Sequence, residues 1–172
     1  MSHVYLIGFM GAGKSTVGRR VASELGWPFA DLDALVERET GRSVREIFEV
    51  AGEPAFRALE TAALEALAGA ASSVVACGGG VVLSDSNRAL LKRSGVVVYL
   101  KVTAAETLAR VGADGTRPLL SGPGGVLAAT SLLEARESLY AAVADATIET
   151  VGQSQDQVAG AVVAFLRERG VA

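Results

Sequence analysis

Cysteine is nearly missing from this chain of 172 residues. The single copy, Cys77, excludes an intrachain disulfide and points to a reducing compartment. Positive charge is not in excess either. Sixteen Lys and Arg face 19 Asp and Glu, a net charge of −3, so no global basic surface is offered to nucleic acid or an anionic membrane. Long apolar runs are absent, and no stretch approaches the about 20 apolar residues of a membrane-spanning helix. The N-terminal apolar run has no positively charged leader and is broken at once by glycine and lysine, unlike a signal peptide. These absences lead us to expect a cytoplasmic protein with neither nucleic-acid nor membrane partners; a monomer is expected as well. What remains is ample for a core: half of the residues are hydrophobic and a fifth are charged, far from the composition of a disordered chain. The length fits one domain over residues 1–172.

Short β-branched runs alternate with helical patterns. Strands are expected at "VYLIG", "PFADLD" (Pro28 to Asp33), "SVVAC" (Ser73 to Cys77), "GVVVYLKV" (Gly95 to Val102) and "ATIET" (Ala146 to Thr150). Helices are expected over 14–25, 85–94, 104–111, 126–144 and a final stretch ending near Gly170. Residues 34–68 read as helix with breaks near Gly41 and "AGEP". Such alternation implies a mainly parallel sheet covered on both faces. The Gly/Pro-rich stretch 112–125 is long for a connection and reads as a lid on one domain, not a boundary.

The motif that interrupts the first strand carries the chemistry. "GFMGAGKS" fits G-x-x-x-x-G-K-[ST] between a strand and a helix. Gly8, Gly11 and Gly13 permit backbone angles that let successive N–H groups curl into an anion nest, with Ala12 on the same loop. The helix that follows adds the positive end of its dipole. Lys14 offers a compact charge to the β- and γ-phosphates, Ser15 a hydroxyl to Mg²⁺, and Thr16 a hydroxyl to another phosphate oxygen. The pattern announces a nucleoside triphosphate with magnesium and leaves the phosphate acceptor open.

The third strand ends in "ACGGG", with no acid for the metal. The nearest strand-end acids are Asp31 and Asp33. Read as an extended pair on one side of the second strand, they point into the crevice at the sheet's carboxyl edge. Asp31 is assigned to the magnesium shell, through water. Asp33 is assigned to the acceptor hydroxyl, as its base; alternatively one acid caps the next helix, a task Asp33 could perform alone. Gly78, Gly79 and Gly80 allow close approach of a substrate to bare main chain, or else serve a turn needing positive φ.

"GFMGAGKST", "DLD", "GEPAFR", "CGGG", "RPLL" and "RESLY" occur in the order and spacing of shikimate kinases, a resemblance running from about residue 4 to 165. It implies the nucleoside-monophosphate-kinase type of P-loop fold: a five-stranded parallel sheet, order 2-3-1-4-5, with helices on both faces and a mobile lid. It also implies transfer of the ATP γ-phosphate to the 3-hydroxyl of shikimate, with ADP as product. On that resemblance Asp33 is the base, within an acceptor-binding helical region at about 33–60. Arg57 and Arg136 bind shikimate, Arg136 through the carboxylate, and Gly78, Gly79 and Gly80 contact it. Arg117 reaches the transferring phosphate from the lid, and Arg110 packs on adenine. The loop "TVGQSQDQ" lacks the basic residue many members carry, so adenine contacts there fall to backbone or to Gln side chains such as Gln153.

Without the family, Arg57 and Arg136 read as ordinary helical arginines, Phe48 and Phe56 as core aromatics or pocket walls, and Glu60 as a support for Arg57 or a surface pair. His3 reads as an uninvolved residue near a chain end. Two other functions compete: a related P-loop kinase of another small acceptor such as gluconate, and a nucleotide switch that has lost catalysis. Asp33, Arg57, the glycine triplet and Arg136 together favour a small anionic polyol.

Overall fold

The computed structural model describes residues 3–111 and 125–171. Its centre is β1 (His3–Ile7), in which every residue is buried. From Val4 to Ile7 the run is apolar without alternation because both of its faces are covered. Around it lie β2 (Phe29–Asp31), β3 (Val74–Ala76), β4 (Gly95–Lys101) and β5 (Ala146–Glu149). All pairings are parallel, in the order β2-β3-β1-β4-β5 that the family resemblance implies. His3, expected to be uninvolved, is fully buried in the central strand. Its Nδ1 meets Ser73 Oγ at 3.1 Å.

The connections are helical: α1 (Lys14–Leu25), α2 (Leu32–Thr40), α3 (Val44–Ala68), α4 (Asp85–Ser94), α5 (Ala104–Val111), α6 (Gly125–Val143) and α7 (Gln155–Glu168). The expected breaks in the 34–68 stretch are present. Gly41 ends α2, and Gly52 kinks α3 with φ 81° and ψ 171°. Pro54 follows two residues later, in the first turn of the second segment, where a missing N–H costs nothing. A 3-10 turn over Val81–Leu83 has no counterpart among the sequence expectations.

Register positions the site. Asp31 lies beside Ala76, and Ala76 beside Leu6. The residues following β1, β2 and β3 therefore emerge together at one carboxyl edge of the sheet. One strand expectation fails here. β2 stops at Asp31, and Leu32 and Asp33 already belong to the first turn of α2. Asp31 and Asp33 are therefore not an extended pair on one side of a strand.

Candidate active site

The loop after β1 adopts the curl its glycines suggest. Gly8, Gly11 and Gly13 have φ of 143°, 77° and 86°, which side chains resist. A Cβ at Gly8 would also strike the Leu100 carbonyl. The Ala12 N–H donates to the Phe9 carbonyl at 3.2 Å, and Gly13 occupies the N-cap of α1 without a side-chain cap. The first N–H groups of α1 are thus left to a ligand. Lys14 Nζ donates to the carbonyls of Gly8, at 2.8 Å, and Phe9, at 2.9 Å. Ser15 and Thr16 line the same cleft.

Asp31 performs the capping that sequence reasoning offered to Asp33. Its Oδ1 accepts from the N–H groups of Asp33, at 3.1 Å, and Ala34, at 3.4 Å. A carboxylate in this position neutralises two orphan helix donors, which is why the chain leaves the strand two residues early. Its other oxygen accepts from Ser15 Oγ at 2.5 Å. Hydroxyl and carboxylate are thereby joined at the mouth of the phosphate loop. Asp33 points into the cleft from the first turn of α2.

Opposite, α3 presents Glu53, Arg57 and Glu60 at helical spacing on one face. The Arg57 guanidinium donates to Glu53 Oε1 at 2.9 and 3.2 Å, and to Glu60 Oε2 at 2.9 Å. Burial works against its charge, but Glu60 and Glu53 outweigh burial and hold the guanidinium protonated. Glu60 is not a surface partner: it is 0 % exposed. Burial raises its carboxyl above the ordinary range, against the pull of Arg57.

The glycine triplet explains how this group fits. None of the three has positive φ, so the turn alternative fails. A Cβ at Gly78 would lie on Glu60 Oε1 and 3.0 Å from Asp33 Oδ1, and one at Gly80 would overlap the Arg57 guanidinium. At Gly79 the nearest atom would be 3.6 Å away. The close approach expected for a substrate is, at Gly78 and Gly80, made by side chains of the site.

Arg136, on α6, is 5 % exposed and reaches the same cleft. Tyr140, one turn later, was missed in the sequence, although the i, i+4 spacing within "RESLY" carries the signal. Its hydroxyl accepts from Arg136 and donates to the Gly79 carbonyl. Burial pushes its phenol up to about 12, with Arg136 opposing. Phe48 and Phe56, 5.0 Å apart, wall the opening, and Phe56 is also core. Cys77 is buried where β3 enters the cleft, and burial raises its thiol. The cleft holds about 840 Å³.

A smaller recess of about 270 Å³ adjoins the phosphate loop. Arg110 crosses it, donating to the carbonyls of Gly11, at 3.0 Å, and Thr150, at 3.5 Å. Gln153 lines it, with its amide nitrogen donating to Glu149 O at 2.9 Å. Arg117 and the expected lid, apart from Gly125, lie outside the described residues.

A phosphate loop at the carboxyl edge of a parallel sheet, opening beside a carboxylate and two arginines, defines a P-loop kinase of a small acceptor. The comparisons narrow the class. The shikimate kinase family model matches residues 10–167, and the chain belongs to that family. It is 46% identical over 166 residues to a shikimate kinase of Geobacter sulfurreducens, covering 96% of this chain and 91% of that protein. With one from Vibrio parahaemolyticus the identity is 44% over 167 residues, covering 97% of each. Among solved structures, shikimate kinase from Acinetobacter baumannii in complex with shikimate superposes with a TM-score of 0.94 at 39% identity, covering 100% of this chain and 96% of that one. A gluconokinase from Sinorhizobium meliloti, at 22% identity and TM-score 0.64, shares the fold.

Proposed function

We infer that this protein transfers the γ-phosphoryl group of ATP to the 3-hydroxyl of shikimate, releasing ADP and shikimate 3-phosphate. The observation that carries the reading is convergence. Lys14, Asp33, Arg57, Gly78 and Arg136 come from five separate stretches of chain and line one cleft.

The loop N–H groups and the start of α1 receive the β- and γ-phosphates. The Lys14 ammonium, resting on two loop carbonyls, exchanges those neutral acceptors for charged phosphate oxygens, a stronger partner. Ser15 and Asp31 fit Mg²⁺: they join two hard oxygens at the loop mouth. Among the described residues no cluster of three His, Cys, Asp or Glu could cage a metal. That suits a cation which keeps waters and phosphates in its shell. When bound, Mg²⁺ would neutralise charge on the phosphates. Arg136 presents a planar fork to the acceptor carboxylate, Arg57 directs N–H groups at the acceptor, and Arg110 and Gln153 border the base.

Asp33 accepts the hydroxyl proton as the acceptor oxygen bonds to the γ-phosphorus and the bond to the β-bridging oxygen breaks. Positioning and charge neutralisation supply most of the acceleration in such transfers. A coupled ADP-release assay with shikimate, gluconate and related polyols tests the reading. Turnover with shikimate is expected. Turnover with gluconate alone, or tight ATP binding with no acceptor turned over, would overturn it.

A further inference from the structure

The phosphate loop is held from behind by a residue that no motif marks. Phe9 to Ala12 form a β-turn, closed by the Ala12 N–H on the Phe9 carbonyl at 3.2 Å. Gly11, its third residue, has φ 77°, and Met10, as a non-glycine residue, has no positive φ. That pair of signs describes a type II turn. A type I turn closes with the same hydrogen bond and differs by a flip of the central peptide, here Met10–Gly11. In a trans peptide the C=O and N–H point oppositely, so the flip exchanges the sides on which they lie. Gly11 lines the cleft. The turn type therefore decides whether an N–H or a carbonyl oxygen meets a bound phosphate.

Helix α5 carries a group that discriminates between the two. Thr107 is 0 % exposed, and its Oγ1 donates to the Met10 carbonyl at 3.1 Å across 97 positions of sequence. A threonine inside a helix commonly turns its hydroxyl back to the carbonyl four residues earlier. Here the Thr103 carbonyl takes only the Thr107 backbone N–H, at 3.0 Å, and the hydroxyl reaches out of its helix. Flipping the peptide would remove its acceptor and strand a buried hydroxyl, an unfavourable state. Arg110, three residues on, takes the next carbonyl of the loop, Gly11 O, at 3.0 Å.

We propose that Thr107 is a positioning residue: its hydroxyl latches the Met10–Gly11 peptide with the Gly11 N–H facing the phosphates. Without the latch the turn samples the flipped form, in which a carbonyl oxygen opposes the polyphosphate. The proposal rests on the nucleotide reading of the loop and adds to it a residue outside every motif.

The test titrates wild type, Thr107→Val and Thr107→Ser with ADP and with inorganic triphosphate by calorimetry, alongside steady-state kinetics. Thr107→Val keeps the shape and loses the donor. It is expected to weaken both ligands by about five- to tenfold, the size of one net hydrogen bond. KM for ATP rises in step, while KM for shikimate stays near the wild-type value. Thr107→Ser keeps the donor and is expected to restore binding. The Gly11 amide should show microsecond–millisecond exchange in Thr107→Val and not in wild type. If Thr107→Val does not fold, Thr107→Ala removes the same hydroxyl and should give the same loss. Wild-type affinity in the hydroxyl-free variants would overturn the proposal. So would a Thr107→Ser variant as weak as Thr107→Val, because packing would then be the cause. Failure of wild type itself to bind ADP would instead defeat the nucleotide reading.

Discussion

Replacing the three consecutive glycines one at a time by alanine should give three different results, although the chemical change is the same. None of them needs positive φ, so what the new methyl meets decides the outcome. At Gly79 its nearest neighbour is 3.6 Å away, ordinary contact, and the cost should stay within about 1 kcal/mol. At Gly80 the methyl takes the place of the Arg57 guanidinium. That is the tip of a flexible side chain, and it can move. The Glu53 contact can follow it, since that side chain is 42% exposed. The bond to Glu60 cannot follow. Losing one charged hydrogen bond costs about 1.5–3 kcal/mol. With Arg57 displaced from the acceptor, KM for shikimate should rise at least about tenfold. At Gly78 the methyl displaces a carboxylate oxygen of Glu60, which has no exposure and nowhere to go. Breaking a buried ion pair costs about 3–5 kcal/mol, a large share of the about 5–15 kcal/mol that holds a typical domain together.

Urea denaturation and the coupled assay, with kcat and both KM values resolved, distinguish the three. The expected order of stability loss is Gly78→Ala, then Gly80→Ala, then Gly79→Ala. The rise in shikimate KM at Gly80→Ala should come without a matching rise in KM for ATP. Equal effects at all three positions would refute the reasoning. A dominant effect at Gly79→Ala would return the triplet to the role of a bare main-chain contact for the substrate.

Other perturbations test the remaining assignments. Asp33→Asn should cut kcat by two orders of magnitude or more, as expected of a lost general base, with ATP affinity by calorimetry nearly unchanged. Arg136→Lys should raise KM for shikimate about tenfold or more, because a point charge replaces a fork, and leave KM for ATP alone. His3 provides a pH test of stability. Burial lowers its pKa below the ordinary 6.5, so between the two values the unfolded chain binds more protons than the folded one. Stability is then full above about pH 6.5 and falls as pH drops through the window beneath it. The urea midpoint of wild type should decline on acidification relative to His3→Asn, and parallel curves would show that burial of His3 contributes nothing.

Four of the strands were legible as short runs carrying β-branched residues. β2 was legible by its place between a helix-ending glycine and the next helical pattern, and the phosphate loop because its glycines and lysine have few other uses. The acid pair was legible in kind and wrong in geometry. "FADLD" reads as an alternating strand, but a carboxylate at Asp31 can satisfy two helix donors, and that local gain converts Leu32 and Asp33 to helix. Period-two reasoning cannot anticipate this, since strand and capped helix share the same letters until the N–H groups are counted. Glu60 was legible as a partner of Arg57, three residues away on a helix. Its complete burial depends on Gly78, 18 positions further along and in another element. Thr107 could not be found at all, because its partner lies 97 positions away and a helical threonine is unremarked in any pattern.

On the proposed function the two arginines of the cleft divide the acceptor between them, and the charge around each gives the reason. Arg57 arrives already matched: Glu53 and Glu60 together offset its charge, and Glu60 remains beside it without exposure to water. A guanidinium so compensated exerts little net field on an incoming anion, but its fork is held in direction by two carboxylates. It serves a hydroxyl better than a carboxylate. Arg136 reaches the cleft from α6 with a phenol as a hydrogen-bonding neighbour, and the buried Glu60 carboxyl feels its charge. A phenol pushed up to about 12 stays neutral, so it orients the guanidinium without cancelling its charge. On the proposed function, recognition of the acceptor's negative end would fall to Arg136 and placement of its hydroxyls to Arg57. A lysine at either position would fail for a separate reason: at Arg136 for want of a fork, and at Arg57 for want of the geometry to bind Glu53 and Glu60 together.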